Sequence, residues 1–278
     1  MTHPLLKRIK VGFIGAGHMS QALIKGLMES KIIKNDQLFV SNRTPGKLLK
    51  LRELYNIETY DLNEPIVEEC DVVILAMKPQ DFPKAVEEIS QHFRDEQIII
   101  SLAAGISADQ LEKLIPRGRI MRVMPNTPSL IGRGVIGLYS QTDEESAIDI
   151  VQDLMSSLGY VLTVETEDQF DALMVSCSSG TGFIFEMMMY WQDWIQERGF
   201  TTEEAKKMTI ETFLGASMLA AQSVGVEIEK LQQRVTSRKG VTAAGLDSMR
   251  ELEIERALRI SFEKASMRSK EISKQSLV

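Results

Sequence analysis

The order of apolar and polar positions divides the chain near residue 165. Upstream of that point one unit recurs: a short β-branched run, a turn, then an amphipathic stretch. The apolar runs are Val11 to Ile14, Leu38 to Val40, Val72 to Ala76, Ile98 to Leu102, Ile120 to Val123, Val135 to Leu138 and Val161 to Val164. Helical patterns at Met19 to Ser30, Pro45 to Tyr55, Phe82 to Ser90 and Ser107 to Leu114 lie between the early runs. Apolar runs without polar alternation belong to strands buried on both faces. The pattern therefore predicts an α/β domain with a mainly parallel sheet covered by helices on both sides.

After about Thr166 no further strand pattern occurs. Asp168 to Glu197 predicts a long, very apolar helix, interrupted by the soft segment Ser176 to Gly182 and ended at Gly199. Thr202 precedes Glu203 and Glu204, a start signal for a helix running to about Val224. A third helical region follows Gly240 and continues to about Ser273 with dense mixed charge. The expected division is an α/β domain over 1–165 and an all-α domain over 166–278. The first long helix carries Met174, Met187, Met188, Met189, Tyr190, Trp191 and Trp194. That is more apolar surface than one side of a helix needs in a monomer, so it serves either the intrachain core or a dimer interface.

Composition narrows the class. The chain has 278 residues, 44% hydrophobic and 26% charged, the profile of a globular protein. Thirty-two basic against 39 acidic residues leave a net charge of −7, so nucleic acid is not expected as a partner. The longest uninterrupted apolar stretch, Val72 to Met77, is too short for a membrane span. Met1 to Lys10 lacks the order of a signal peptide. A cytoplasmic protein without membrane association is the expectation. Cys70 and Cys177 stand far apart and are expected to be reduced. His3, His18 and His92 are too few and too scattered for a metal site, so an organic cofactor is expected and no metal.

Candidate chemistry begins at the first strand. Val11 to Ile14 runs into Gly15-Ala16-Gly17-His18-Met19-Ser20, a glycine turn opening a helix. Gly15 permits the tight turn, Gly17 lets backbone N–H groups approach a pyrophosphate, and the helix presents its positive end to that anion. Ser20, small like the third glycine it replaces, still allows close packing of helix on strand. After the second strand, where a carboxylate would bind the ribose diol of NAD, the chain reads Ser41-Asn42-Arg43-Thr44. Ser41, Arg43 and Thr44 suit a 2′-phosphate, so NADPH is expected over NADH, with NADH and a plain solvated turn as the alternatives. Ala76-Met77-Lys78-Pro79 and Ala103-Ala104-Gly105 follow two more strands, at the edge where such sheets bind ligands.

Met124-Pro125-Asn126-Thr127-Pro128 joins these motifs, and so does Val235-Thr236-Ser237-Arg238-Lys239-Gly240-Val241-Thr242. Taken in order along nearly the whole chain, they resemble the pyrroline-5-carboxylate reductase family. The resemblance implies reduction of L-1-pyrroline-5-carboxylate, a small cyclic imine, to L-proline with NAD(P)H. It implies a Rossmann-type domain followed by a helical domain that dimerises, often in higher assemblies. Ser237, Arg238, Lys239, Gly240, Val241 and Thr242 would then bind substrate, with the Thr242 hydroxyl on the ring nitrogen as the catalytic group. The alternative for Thr242 is a helix N-cap. Asn126 and Thr127 would position the nicotinamide end of the cofactor, or simply form a rigid turn.

The chain also departs from the family pattern. Lys239 replaces a glycine of the carboxylate loop, which either blocks a positive-φ backbone or places an ammonium near the substrate carboxylate. Gly180 and Gly182 stand where the family has proline and an aromatic residue, which should loosen the helix by about 1 kcal/mol each. A divergent reductase of another imine and a catalytically weak NADPH-binding regulatory protein are therefore the alternatives. A 3-hydroxyacid dehydrogenase would need a lysine in the segment Ser176 to Glu186, and none is there.

Overall fold

The computed structural model describes residues 4–142 and 144–275. Its strands are β1 (Val11–Ile14), β2 (Leu38–Ser41), β3 (Glu58–Tyr60), β4 (Val72–Leu75), β5 (Ile98–Ser101), β6 (Arg119–Met124), β7 (Gly134–Ser140) and β8 (Gly159–Val164). They form one sheet in the order β3-β2-β1-β4-β5-β6-β7-β8. Strands β1 to β6 are parallel; β7 returns antiparallel to β6, and β8 pairs parallel to β7. The strand order reverses between β1 and β4, which places a crevice beyond the carboxyl ends of those two strands.

Side chains on alternate positions enter two separate cores. Val11 and Phe13 join Val40, Ile74 and Ile100 on one face, under α1 (His18–Ser30), α2 (Pro45–Tyr55) and, further along the chain, Val151 and Leu154. Ile14, Val73, Leu75 and Ile99 join the other face, covered by α3 (Glu64–Glu69), α4 (Phe82–Ile89) and α5 (Ala108–Leu114). On this second face a side chain at Gly12 would press within 2.4 Å of Ile66 and 2.7 Å of Cys70. Glycine there lets α3 close on the strand. Burial pushes the Cys70 thiol up to about 12, so it stays protonated and unreactive across the neutral range.

Several elements differ from the pattern-based expectation. β3, α3 and α6 (Glu145–Met155) were not expected, while the sheet is mainly parallel as expected, with β6–β7 antiparallel. β8 is an edge strand with Tyr160 64% exposed and Leu162 40% exposed, not a strand buried on both faces. The expected interruption at Ser176 to Gly182 is a change of helix type and not a break in the chain's helical course. Instead α7 (Glu167–Leu173) passes through a π-helical turn, Met174–Ser179, into α8 (Gly180–Gln196).

The remaining helices are α9 (Thr202–Gln222), α10 (Ile228–Arg234), α11 (Val241–Glu251) and α12 (Ile254–Gln275). The N-cap of α9 is Thr201 rather than Thr202. The Thr201 hydroxyl accepts from the Glu204 N–H, and the Glu204 carboxylate accepts from the Thr201 N–H at 2.9 Å. The expected single charged helix is two, parted at Leu252 and at Glu253, whose φ is 51°.

By backbone contacts the chain forms two compact units, Met1–Ser179 with Ala265–Val278, and Gly180–Lys264. The strand-bearing pattern ends near Thr166, whereas this division falls inside the long helix. Over the helical run Glu167–Gln196 mean hydropathy reaches 1.3 in an 18-residue window that is only 17% buried. Asp171, Glu186 and Asp193 interrupt the run.

Candidate active site

The first unit carries every expected cofactor residue. Gly15 has φ 105°, and a Cβ there would stand 3.0 Å from the Ala76 carbonyl oxygen, so the turn after β1 needs glycine. Gly17, the N-cap of α1, has φ −73° and nothing within 4 Å of where a Cβ would be. The fold itself therefore does not require glycine at 17. No side chain caps α1. The first N–H groups of the helix, at His18 and Met19, keep their hydrogen-bonding capacity for an anion in that space. Ser20 is fully buried.

Asn42 fastens this turn, since its Oδ1 accepts from the Ala16 N–H at 3.1 Å and its Nδ2 donates to the Thr44 carbonyl at 3.1 Å. Ser41 differs from expectation. It is fully buried, and its hydroxyl donates to Asn63 Oδ1 at 2.8 Å. That hydroxyl holds Asn63 at the end of β2 instead of standing open to a phosphate. Asn63, at the start of α3, is a polar residue of this edge that its sequence context gave no reason to select. Arg43 and Thr44 are exposed. Arg43 donates from Nη2 to Asp81 Oδ2 at 2.8 Å.

Ala76 and Met77 leave β4 half-buried, Lys78 is exposed, and Pro79 opens a short 3-10 turn. After β5, Ala103 and Gly105 are buried while Ala104 is exposed. Gly105 turns the chain with φ 81°. The short segments after β1, β2, β4 and β5 thus meet at the carboxyl edge of the sheet, around the point where the strand order reverses.

Asn126 is buried at the end of β6. Its Oδ1 accepts from the Val135 N–H at 3.0 Å and its Nδ2 donates to the Cys177 carbonyl at 3.1 Å. Both polar ends therefore brace the protein itself, the rigid-turn alternative, while the neighbouring Thr127 is exposed. Four residues before Asn126, Arg122 lies 2% exposed, pairs with Glu167 and packs its guanidinium 4.3 Å from the centre of the Phe170 ring. Glu167 also accepts from the Ala108 N–H at 2.7 Å, at the head of α5.

The expected substrate segment belongs to the second unit. Ser237, Arg238 and Lys239 are exposed, and Gly240 is the N-cap of α11. The Gly240 N–H donates to the Ser237 carbonyl at 2.9 Å, closing a turn, and Lys239 takes φ 60° within it. The lysine therefore adopts the left-handed backbone that glycine would supply, a conformation that costs an L-residue about 1–2 kcal/mol. Its replacement of glycine does not block the loop. Val241 and Thr242 form the first turn of α11, so Thr242 lies inside the helix and is not its cap. No side chain caps α11, which leaves its N-terminal amides open to a carboxylate as well.

A mainly parallel sheet with a glycine turn at its switch point, followed by a helical region, is the plan of a nicotinamide-dinucleotide oxidoreductase. Over 270 residues and 96% of each chain it is 32% identical to pyrroline-5-carboxylate reductase 2 of Bacillus subtilis. The chain belongs to the pyrroline-5-carboxylate reductase family.

Other comparisons agree. Residues 167–272 match the family described as pyrroline-5-carboxylate reductase dimerisation, and residues 10–105 match NADP oxidoreductase, coenzyme F420-dependent. The enzyme of Pseudomonas aeruginosa is 32% identical over 268 residues, 96% of this chain and 97% of that one. Among solved structures, a pyrroline-5-carboxylate reductase from Coxiella burnetii superposes with a TM-score of 0.90 at 29% identity, covering 95% of this chain and 98% of that chain. Plasmodium falciparum pyrroline carboxylate reductase, solved with NADP bound, shares the fold at a TM-score of 0.84 and 24% identity, over 96% and 99% of the two chains.

Proposed function

We infer that this chain reduces L-1-pyrroline-5-carboxylate to L-proline with NADPH. The observation that carries the reading is the uncapped head of α1 behind Gly17, an anion site whose glycine the fold itself does not need, in a chain colinear with pyrroline-5-carboxylate reductases. NADPH, when bound, supplies the hydride that reduces the imine carbon, and the reaction needs one proton at nitrogen to give the secondary amine. The amides of Gly17, His18 and Met19 hold the pyrophosphate. Asn42 keeps the turn in shape, and Arg43 and Thr44 face the 2′-phosphate. The residues after β4 and β5, Ala76 to Pro79 and Ala103 to Gly105, form the floor beneath the nicotinamide ribose.

The turn at Ser237 to Gly240 and the first amides of α11 bind the substrate carboxylate, with Arg238 and Lys239 adding positive charge. Thr242 donates to or accepts from the ring nitrogen, which fixes the imine face and keeps its proton in place. Lys239 retains the turn geometry, and that favours the reductase over the divergent or regulatory alternatives. Thr242→Ala is expected to lower kcat about 10- to 100-fold, the worth of one hydrogen bond to a charged group, with the KM for NADPH nearly unchanged. Steady-state kinetics in both substrates checks this; a large rise in the KM for NADPH would move Thr242 to the cofactor site.

The active form is a homodimer built through the helical domain. Met189, Tyr190, Trp191 and Trp194 on α8 are 48–63% exposed, an apolar face that a second copy covers. The charges along Glu167–Gln196 favour a protein partner over a bilayer for this face, and the location is cytoplasmic.

A further inference from the structure

Arg43 ends the polar turn after β2, and Asp81 follows β4 immediately before α4. The two are 38 positions apart and meet because β2 and β4 lie on either side of β1. Arg43 Nη2 stands 2.8 Å from Asp81 Oδ2, with the arginine side chain 81% exposed and the aspartate 33% exposed. Asp81 occupies the N-cap position of α4, yet its carboxylate makes no cap hydrogen bond there. Its partner is Arg43. An exposed pair of this kind adds little to fold stability, so its placement at the ligand edge is the more informative fact.

We propose that Asp81 sets the balance between the two nicotinamide dinucleotides by competing with the ribose 2′-phosphate for Arg43. The proposal rests on the reading of this edge as the NADPH site. A 2′-phosphate needs the guanidinium fork that Asp81 holds, and the carboxylate repels the same phosphate. With NADH the conflict disappears. The ribose hydroxyl is a donor, and a carboxylate already oriented by Arg43 accepts from it, the role usually filled by an acid at the end of the second strand. Here that acid comes from the loop after β4, so NADPH preference is narrower than Arg43 alone would give.

The test is Asp81→Asn, with both dinucleotides titrated against the full-length protein by nicotinamide fluorescence. The ratio of Kd for NADH to Kd for NADPH is expected to rise about fivefold at low ionic strength, and the gain should shrink in about 0.5 M KCl as the exposed charges are screened. Arg43→Ala should lower the same ratio. An unchanged or lower ratio in Asp81→Asn would overturn the competition, as would unaltered NADPH affinity in Arg43→Ala. Failure of the unmodified protein to bind either dinucleotide would overturn the cofactor reading itself, and this proposal with it.

Discussion

Alanine at Gly17 should leave the protein folded and weaken NADPH binding about a hundredfold. The residue has φ −73°, a value any L-residue adopts, and a Cβ placed there meets nothing within 4 Å. Folding has no reason to reject the methyl group. A pyrophosphate does, because it must come within hydrogen-bond distance of the amides that open α1. Loss of even two charge-assisted hydrogen bonds at about 1.5 kcal/mol each corresponds to roughly a hundredfold in Kd. Gly15→Ala makes the contrast. At φ 105° and 3.0 Å from the Ala76 carbonyl oxygen, its methyl group strains the turn itself. A urea midpoint unchanged in Gly17→Ala, together with a collapsed NADPH titration, is the expected pair of results. Retained affinity would mean the pyrophosphate does not lie over this turn.

Glu167→Ala should destabilise the protein by about 3 kcal/mol, the low end for breaking a buried ion pair. The Arg122 guanidinium is buried against Phe170 at the end of the sheet, and burial alone pulls its pKa down. Glu167 offsets that burial and also accepts from the Ala108 N–H. Without Glu167 the charge remains, with Asp171 still nearby to offset part of it. The low end applies because Glu167 is itself 34% exposed, which lets water replace part of what it gives. The opposite deletion is milder for the same reason. Arg122→Met removes the buried charge, fills the space with apolar atoms and leaves a carboxylate that water can reach. Urea unfolding at fixed protein concentration checks the order, and a larger loss in Arg122→Met than in Glu167→Ala would contradict it.

Much of the α/β domain was legible because its strands are buried on both faces. Val72–Leu75 and Ile98–Ser101 have no polar position to conceal them. β3 escaped notice since an edge strand of three residues, beginning with Glu58, shows no apolar run at all. The reversal at β7 was illegible because side-chain periodicity is the same in either strand direction. α6 places Ala147, Ile150, Val151 and Leu154 at helical spacing, a signal present in the sequence. At Glu253 the chain takes a left-handed turn without glycine or proline to mark it, so one charged helix was expected where there are two.

The candidate site divides in the same way. The glycine turn is local, and its residues declare themselves by spacing; Ser237 to Thr242 are also local, but only the family resemblance marks them out. The Ser41–Asn63 and Arg43–Asp81 contacts join positions 22 and 38 apart and exist only through strand order. That is why Ser41, an exposed phosphate ligand by its neighbours, is a buried brace by its fold. Asn126 was chosen from its motif, yet its partners, Val135 and Cys177, come from β7 and the π-helical turn.

The most direct measurement mixes the purified protein with NADPH and L-1-pyrroline-5-carboxylate, following NADPH absorbance and quantifying L-proline. NADPH loss and L-proline gain in equal amounts are expected, both lowered about tenfold by Gly17→Ala at NADPH concentrations about ten times the Kd of the unmodified enzyme. NADPH binding without proline formation would contradict the reductase assignment.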